Sequence, residues 1–173
     1  MTLVHAAGAA AEELKRLLGA RANDSASVRD HHSHGESYHP PAPPDIVCFP
    51  NDTGEVAAIL TIAARHRVPI VPFGAGTSLE AHVNAVRGGI CVDLRNMKAI
   101  VRVSAEDLDA TVEAGVTRKQ LNKALSNTGL SFPIDPEQRS IKGSTTVRSE
   151  DGSITTYTWD LTKAGGIGTD DKL

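Results

Sequence analysis

The chain has 173 residues, 40% of them hydrophobic but only 3% aromatic, and a formal net charge of -3. That length suffices for one domain or two small subdomains, with a core built from Val, Ile, Leu and Ala. Scattered basic residues without interleaved aromatics argue against an electrostatic nucleic-acid binder, and no apolar run approaches the roughly 20 residues of a transmembrane helix.

Residues 1 to 19 read as an amphipathic helix on Leu14, Leu17 and Leu18. Glu12 and Glu13, with His5 as the single early basic residue, set it apart from a signal peptide. Residues 21 to 44 are polar, run through Asp30-His31-His32-Ser33-His34-Gly35-Glu36-Ser37-Tyr38-His39, and end in Pro40-Pro41-Ala42-Pro43-Pro44. The prolines favour an extended path into the next element. Four imidazoles, His31, His32, His34 and His39, raise a metal-binding reading, but their spacing in a flexible segment does not preset a tetrahedral site. A solvated or ligand-facing loop is the preferred reading, and no metal ligand is assigned.

Ile46-Val47-Cys48-Phe49 reads as a short buried strand closed by Pro50. Asp52 and Glu55 form a capping box for a helix whose apolar stripe is Val56, Ile59, Leu60 and Ala63. Arg65, His66 and Arg67 close it, and Pro69 forbids its continuation into the strand Ile70-Val71-Pro72-Phe73. Strand, helix and strand within about thirty residues predict a right-handed βαβ unit. Cys48 and Cys91 both fall in apolar runs and are read as buried reduced thiols, which fits a cytoplasmic protein, or a mitochondrial one if the source is eukaryotic.

The second strand runs into Gly74-Ala75-Gly76-Thr77-Ser78-Leu79-Glu80-Ala81-His82. Two glycines one residue apart let the backbone take φ > 0 and approach a ligand, and two hydroxyls follow at once. A concave run of N–H groups with hydroxyl donors suits a phosphate oxygen, so a pyrophosphate cradle is the leading reading and an ordinary tight turn the alternative. Leu79 occupies the third glycine position of the dinucleotide fingerprint, and no Lys-Ser or Lys-Thr follows the glycines. The loop is therefore neither of Rossmann nor of P-loop type.

Three strand-like runs follow, at residues 90–94, 100–103 and 109–116, and predict a meander or antiparallel sheet beside the βαβ unit. Thr117 and Gln120 box a second helix with Leu121, Ala124 and Leu125 on its apolar face, closed by Asn127-Thr128-Gly129. Leu130 to Pro136 is an apolar loop stiffened by two prolines. Beyond it, Asp151-Gly152 predicts one hairpin between Thr145-Thr146-Val147 and Ile154-Thr155-Thr156-Tyr157. The glycine-rich 164–171 stretch reads as a frayed terminus, with a second anion loop as the alternative, and Trp159 as a surface-packing residue. The expected organisation is an N-terminal helix with a His/Pro-rich arm at 1–44, a ligand-binding domain at 45–136 and a degenerate or partly disordered tail at 137–173.

Taken in order, Glu36-Ser37-Tyr38-His39-Pro40-Pro41, Pro44-Asp45-Ile46-Val47, the loop from Val71 to Glu80, His82-Val83-Asn84, Arg87-Gly88-Gly89, Gly115-Val116-Thr117-Arg118-Lys119-Gln120-Leu121 and Phe132-Pro133-Ile134-Asp135-Pro136 resemble the FAD-binding half of D-lactate dehydrogenases. These belong to the flavoprotein family of PCMH type that includes vanillyl-alcohol oxidase and glycolate oxidase subunits. The resemblance covers residues 29 to 136. It implies an α+β fold, a βαβ unit plus a small mixed or antiparallel sheet, present here as the N-terminal part of that FAD-binding domain. It also implies cofactor contacts at Pro72, Phe73, Gly74, Ala75, Gly76, Thr77, Ser78, Leu79 and His82, with Pro133 and Asp135 passing near the same phosphates. Such enzymes remove a hydride from a D-2-hydroxy acid and pass electrons to cytochrome c, a quinone or another acceptor. Ala81 stands where the family usually has glycine, and Gly143-Ser144 is a degenerate echo of a Gly-Gly-Met loop. The family's cap domain, with its substrate arginine, metal-ligating histidines and proton acceptor, has no counterpart here, so no catalytic residue is assigned. A truncated, non-catalytic FAD-binding fragment is the alternative to an active dehydrogenase, and a His-rich metal-binding protein a further one.

Overall fold

The computed structural model describes residues 3–133, 142–148 and 154–160, with side chains from residue 7 to 133. The chain divides into two units, Met1–Ile134 and Asp135–Leu173. The first contains α1 (Leu3–Leu18), β1 (Ala22–Asn23), α2 (Ala26–His31), β2 (Ile46–Cys48), α3 (Thr53–His66), β3 (Ile70–Phe73), β4 (Ile90–Asp93), β5 (Ile100–Ser104), β6 (Asp109–Val112) and α4 (Arg118–Leu125). In the second, β7 (Lys142–Arg148) and β8 (Ile154–Asp160) pair antiparallel, Lys142 facing Asp160 and Arg148 facing Ile154. They contain the runs expected to form a hairpin. The Asp151-Gly152 turn and the 164–171 stretch lie outside the described residues.

The fold is α+β. Its main sheet has the order β1-β2-β4-β3, with β2, β4 and β3 parallel and β1 antiparallel at one edge. The βαβ unit is present as β2, α3 and β3, but its strands are not neighbours. Ile90–Asp93, expected to open a meander, instead enters the sheet between them, Cys91 facing Val47 on one side and Val71 on the other. A strand buried at all four positions, apolar at the first three, is what a central parallel position requires, whereas a meander strand shows polar alternation. Only the other two runs form an antiparallel pair, β5 with β6.

Side chains leave the sheet with period two and build two cores. Ile46, Cys48, Ile90 and Val92 face α1 and α3, packing with Leu14, Leu18, Ile59, Ile62 and Ala63. Val47 and Cys91 face the opposite way, into a smaller cluster with Phe73 and Val83. Burial pushes both thiols up to about 12, at Cys91 with help from the Asp93 charge, so neither is a nucleophile at neutral pH. On α3 the buried stripe is Ile59, Ile62 and Ala63. Leu60, expected inside, is 46% exposed, because α1 covers the helix from one side only. Leu17 and Ala124 are likewise exposed where burial was expected.

The His/Pro-rich arm is more ordered than a solvated loop. Residues 22 and 23 add a strand to the sheet, and residues 26 to 31 form α2. The start of α3 departs from a full capping box. Asp52 Oδ1 accepts from the Glu55 N–H at 2.8 Å, but the Glu55 carboxylate accepts from the Asn51 N–H at 2.7 Å and from Arg21 Nη2 at 2.6 Å. This ion pair ties the end of α1 to the start of α3. First through Arg21 and then through the Asn51 N–H, it holds the Glu55 carboxyl at about 2, against 4.5 for the free group. A depressed carboxyl stabilises the folded state above the unfolded value and ceases to do so as pH falls through the folded one. Glu55→Gln should therefore lower stability by about 1 kcal/mol at pH 7, and the deficit should disappear between pH 4.5 and about 2 in urea titrations of both proteins.

Candidate functional site

The site is built where β3 ends. Phe73 is buried and accepts a hydrogen bond from the Leu94 N–H at 3.0 Å through its carbonyl, which pins the strand end to β4. From there the chain leaves the sheet beyond its carboxyl edge, the side on which open α/β sheets bind ligands. Gly76 turns it with φ 78°, and a Cβ there would lie 2.9 Å from Phe73 Cζ. Both the conformation and the ring require glycine. Ser78 Oγ accepts from the His82 N–H at 3.4 Å, and the Asn84 N–H returns to the Ala81 carbonyl at 3.0 Å.

Among the described residues, no backbone N–H from Gly74 to Glu80 donates a hydrogen bond. Seven successive positions thus leave their donors turned to solvent or to a ligand, on a loop whose residues 76 to 78 are half-buried. The arm forms the opposite wall. The Ala42 N–H donates to the Ser33 carbonyl at 2.7 Å, the Ala85 N–H to the Ala42 carbonyl at 2.9 Å, and Asn84 Nδ2 to the Pro40 carbonyl at 3.0 Å. Gly35 lies so close that a Cβ would stand 2.8 Å from the Gly76 carbonyl oxygen and 3.0 Å from that of Ser78. Ser37 Oγ and Asn84 Oδ1 are buried without a hydrogen-bond partner, and a buried polar atom of that kind costs about 1–3 kcal/mol until something satisfies it.

The expected contact residues fall into three groups. Pro72, Phe73, Gly74, Ala75, Gly76, Thr77, Ser78, Leu79 and His82 form one continuous rim, with Pro72, Leu79 and His82 exposed. Pro133 is exposed in the segment after α4, where the Phe132 N–H donates to Asn122 Oδ1 at 2.7 Å and Asn122 Nδ2 donates back to the Phe132 carbonyl at 3.0 Å. Asp135 lies outside the described residues. That segment borders a second concavity of about 520 Å³, lined chiefly by Val103, Leu108, Val112, Leu121, Leu125 and Phe132.

Of the four histidines, His32 is buried, with Nε2 2.8 Å from Asp93 Oδ2, while His34 Nδ1 sits 3.0 Å from Ser33 Oγ and His39 stacks on Tyr38 at 4.2 Å. Among the described residues, no three His, Cys, Asp or Glu side chains converge as a metal site. The sequence reading missed the roles of Gly35, Ser37, Asn84, His32 and Asp93. One signal was available: Asp93 closes an otherwise apolar central strand, and a buried acid demands a partner.

A model of the FAD binding domain matches residues 44–146. The chain belongs to this family. Over 110 residues it is 51% identical to a protein of Danio rerio named "Probable D-lactate dehydrogenase, mitochondrial", the match covering 64% of this chain and 22% of that protein. It is 42% identical over 135 residues to the mitochondrial D-lactate dehydrogenase [cytochrome] 1 of Saccharomyces cerevisiae, covering 72% of this chain and 23% of that one. An alkyldihydroxyacetonephosphate synthase structure superposes with a TM-score of 0.65 at 25% identity, over 75% of this chain and 26% of the other. The chain thus spans about a quarter of the length of its relatives, and FAD is the cofactor of the domain it belongs to. The geometry suits that cofactor: a diphosphate asks for unpaired N–H donors and hydroxyls at close backbone approach, and residues 74 to 80 present them. No described helix is long and apolar enough to cross a membrane.

Ala81, in the position usually held by glycine, has φ 56°. Left-handed backbone costs a residue with a Cβ about 1–2 kcal/mol, and glycine costs about 0.4–1 kcal/mol in unfolded-chain entropy. Ala81→Gly should accordingly stabilise the protein by about 0.5 kcal/mol in a urea midpoint comparison.

Proposed function

We propose that this chain supplies the diphosphate-gripping part of an FAD site in an oxidoreductase acting on a D-2-hydroxy acid. The observation that carries the reading is the unpaired row of N–H groups from Gly74 to Glu80 at the carboxyl end of β3. Those amides, with the Thr77 and Ser78 hydroxyls, replace the water around two linked phosphates without a full counter-charge. Phe73 supports the turn from beneath, Pro72, Ala75, Leu79 and His82 form its rim, and Pro133, after α4, is the further contact that the family resemblance implies. Bound FAD would supply a ring system that accepts a hydride. The protein's part is to fix that ring's position by anchoring its diphosphate, and to shut water out from between loop and arm.

D-lactate is the substrate suggested by the relatives' names, cytochrome the acceptor suggested by one of them, and mitochondria the compartment they favour over the cytoplasm. A second reading, an FAD-binding module without turnover of its own, is favoured by the apolar 520 Å³ concavity beside α4. No described residue is assigned a catalytic role.

Titration of the purified chain with FAD, followed by flavin fluorescence, should show saturable one-to-one binding. Gly76→Ala, which places a methyl against Phe73 in a left-handed turn, should weaken it at least tenfold while far-ultraviolet circular dichroism stays unchanged. A chain that takes up no FAD, or a variant that binds it equally well, would overturn the reading. Bound flavin that D-lactate but not L-lactate reduces would favour the dehydrogenase over the module.

A further inference from the structure

We infer that His32 is a doubly protonated imidazolium, and that its cluster with Asp93 and Arg95 positions the 74–78 loop through Phe73. Nδ1 of His32 lies 2.7 Å from the Val28 carbonyl oxygen, which has no hydrogen to offer, so Nδ1 carries one. Nε2 lies 2.8 Å from Asp93 Oδ2. That same oxygen accepts from Arg95 Nε at 2.7 Å and pairs with Nη2 at 2.6 Å, while Oδ1 accepts from the Arg95 N–H at 2.9 Å. Burial pushes the Asp93 carboxyl up, but its hydrogen bonds outweigh it and hold the group below its usual range, and the guanidinium and N–H of Arg95, which donate whatever the state of the ring, favour the carboxylate. An ionised oxygen facing a bare imidazole lone pair at 2.8 Å would be repulsive, so Nε2 donates as well. Arg95 Nη2, at 3.3 Å from Nε2, is then a second cation converging on the shared carboxylate, not a donor to the ring. Two cations and one anion leave a net charge of +1.

His32 is 2% exposed and Asp93 fully buried, so a charge left without its partner here would be costly. With both nitrogens donating, the ring has no lone pair for a metal or for abstracting a proton. Its remaining contacts are with rings: Phe73 at 4.6 Å, His31 at 5.2 Å and Phe49 at 5.8 Å, and the Arg95 guanidinium in turn lies 5.3 Å from the Phe49 ring centre. Phe73 stands opposite Asp93 in the β3–β4 register, and its ring fills the space where a Gly76 Cβ would project. The contacts therefore run from the end of the central strand to the turn of the loop, Asp93 to His32 to Phe73 to Gly76. His32 is a positioning residue. It places positive charge below a loop whose residues 74 to 82 contain no Lys or Arg.

The ligand-binding consequence rests on the FAD reading, whereas the protonation and positioning do not. Two-bond proton–nitrogen NMR of the cofactor-free chain should show both His32 nitrogens with protonated-imidazole shifts at neutral pH; a bare ring nitrogen would overturn the assignment. The Gly76 α-protons, beside the Cζ edge of the Phe73 ring, should show a ring-current displacement that His32→Gln changes by at least half while the spectrum stays dispersed. Should that variant not fold, Arg95→Gln, at a half-exposed position, should change the same displacement. An unaltered Gly76 shift in the folded variant would refute positioning. In FAD titrations His32→Gln should raise Kd about tenfold, and an unchanged Kd would refute the functional consequence. A wild-type chain that binds no FAD sinks the cofactor reading alone and leaves the two NMR observations to decide this one.

Discussion

Everything at the ligand-facing end of the first unit depends on one buried anion. Asp93 ends the central strand β4, fully buried, and Arg95 and His32 both bond its carboxylate. A carboxylate in that position is tolerable only when its lone pairs are occupied, and each partner that occupies them comes from a segment that must then stay in place. His32 brings α2 and the start of the arm. Arg95 brings the turn after β4. The sheet end is consequently closed on two sides, and the loop after β3 is left as the open one.

The arm and the loop then constrain each other. Gly35 has no side chain because the carbonyls of Gly76 and Ser78 occupy the space, and Gly76 has none because Phe73 does. Two glycines far apart in sequence thus serve one contact. The row of free amides follows, because a loop held between an aromatic ring and a second backbone cannot fold back to satisfy its own donors. Under the proposed function such unsatisfied donors are capacity for a diphosphate, in a loop without a single Lys or Arg.

The opposite face of the sheet has a different task. Leu14, Leu18, Ile59, Ile62 and Ala63 bury Ile46, Cys48, Ile90 and Val92 and make the platform rigid. Glu13 pairs with Arg65 and hydrogen-bonds His66, and Arg21 pairs with Glu55, which binds the helices around that core. By contrast, Val101 and Leu108 are largely exposed on the β5–β6 pair, which two strands alone stabilise only marginally.

Local chemistry was enough to place α3, α4, the strands β2 to β6 and the glycine loop, because capping residues, apolar periodicity and paired glycines act within a few residues of themselves. The ordered motifs from Glu36 to Pro136 likewise carried the family without any coordinates. Strand order was not legible, since nothing in Ile90-Cys91-Val92-Asp93 states that it slots between β2 and β3 rather than beginning a meander. Nor was the burial of Ile62 instead of Leu60, which depends on where α1 lies. The histidine run looked like a solvated loop because the partner that buries His32 is 61 residues away. Sequence alone determined the elements, the loop and its kinship; tertiary structure decided which strand is central and which buried groups support the loop, because those depend on contacts between segments distant along the chain.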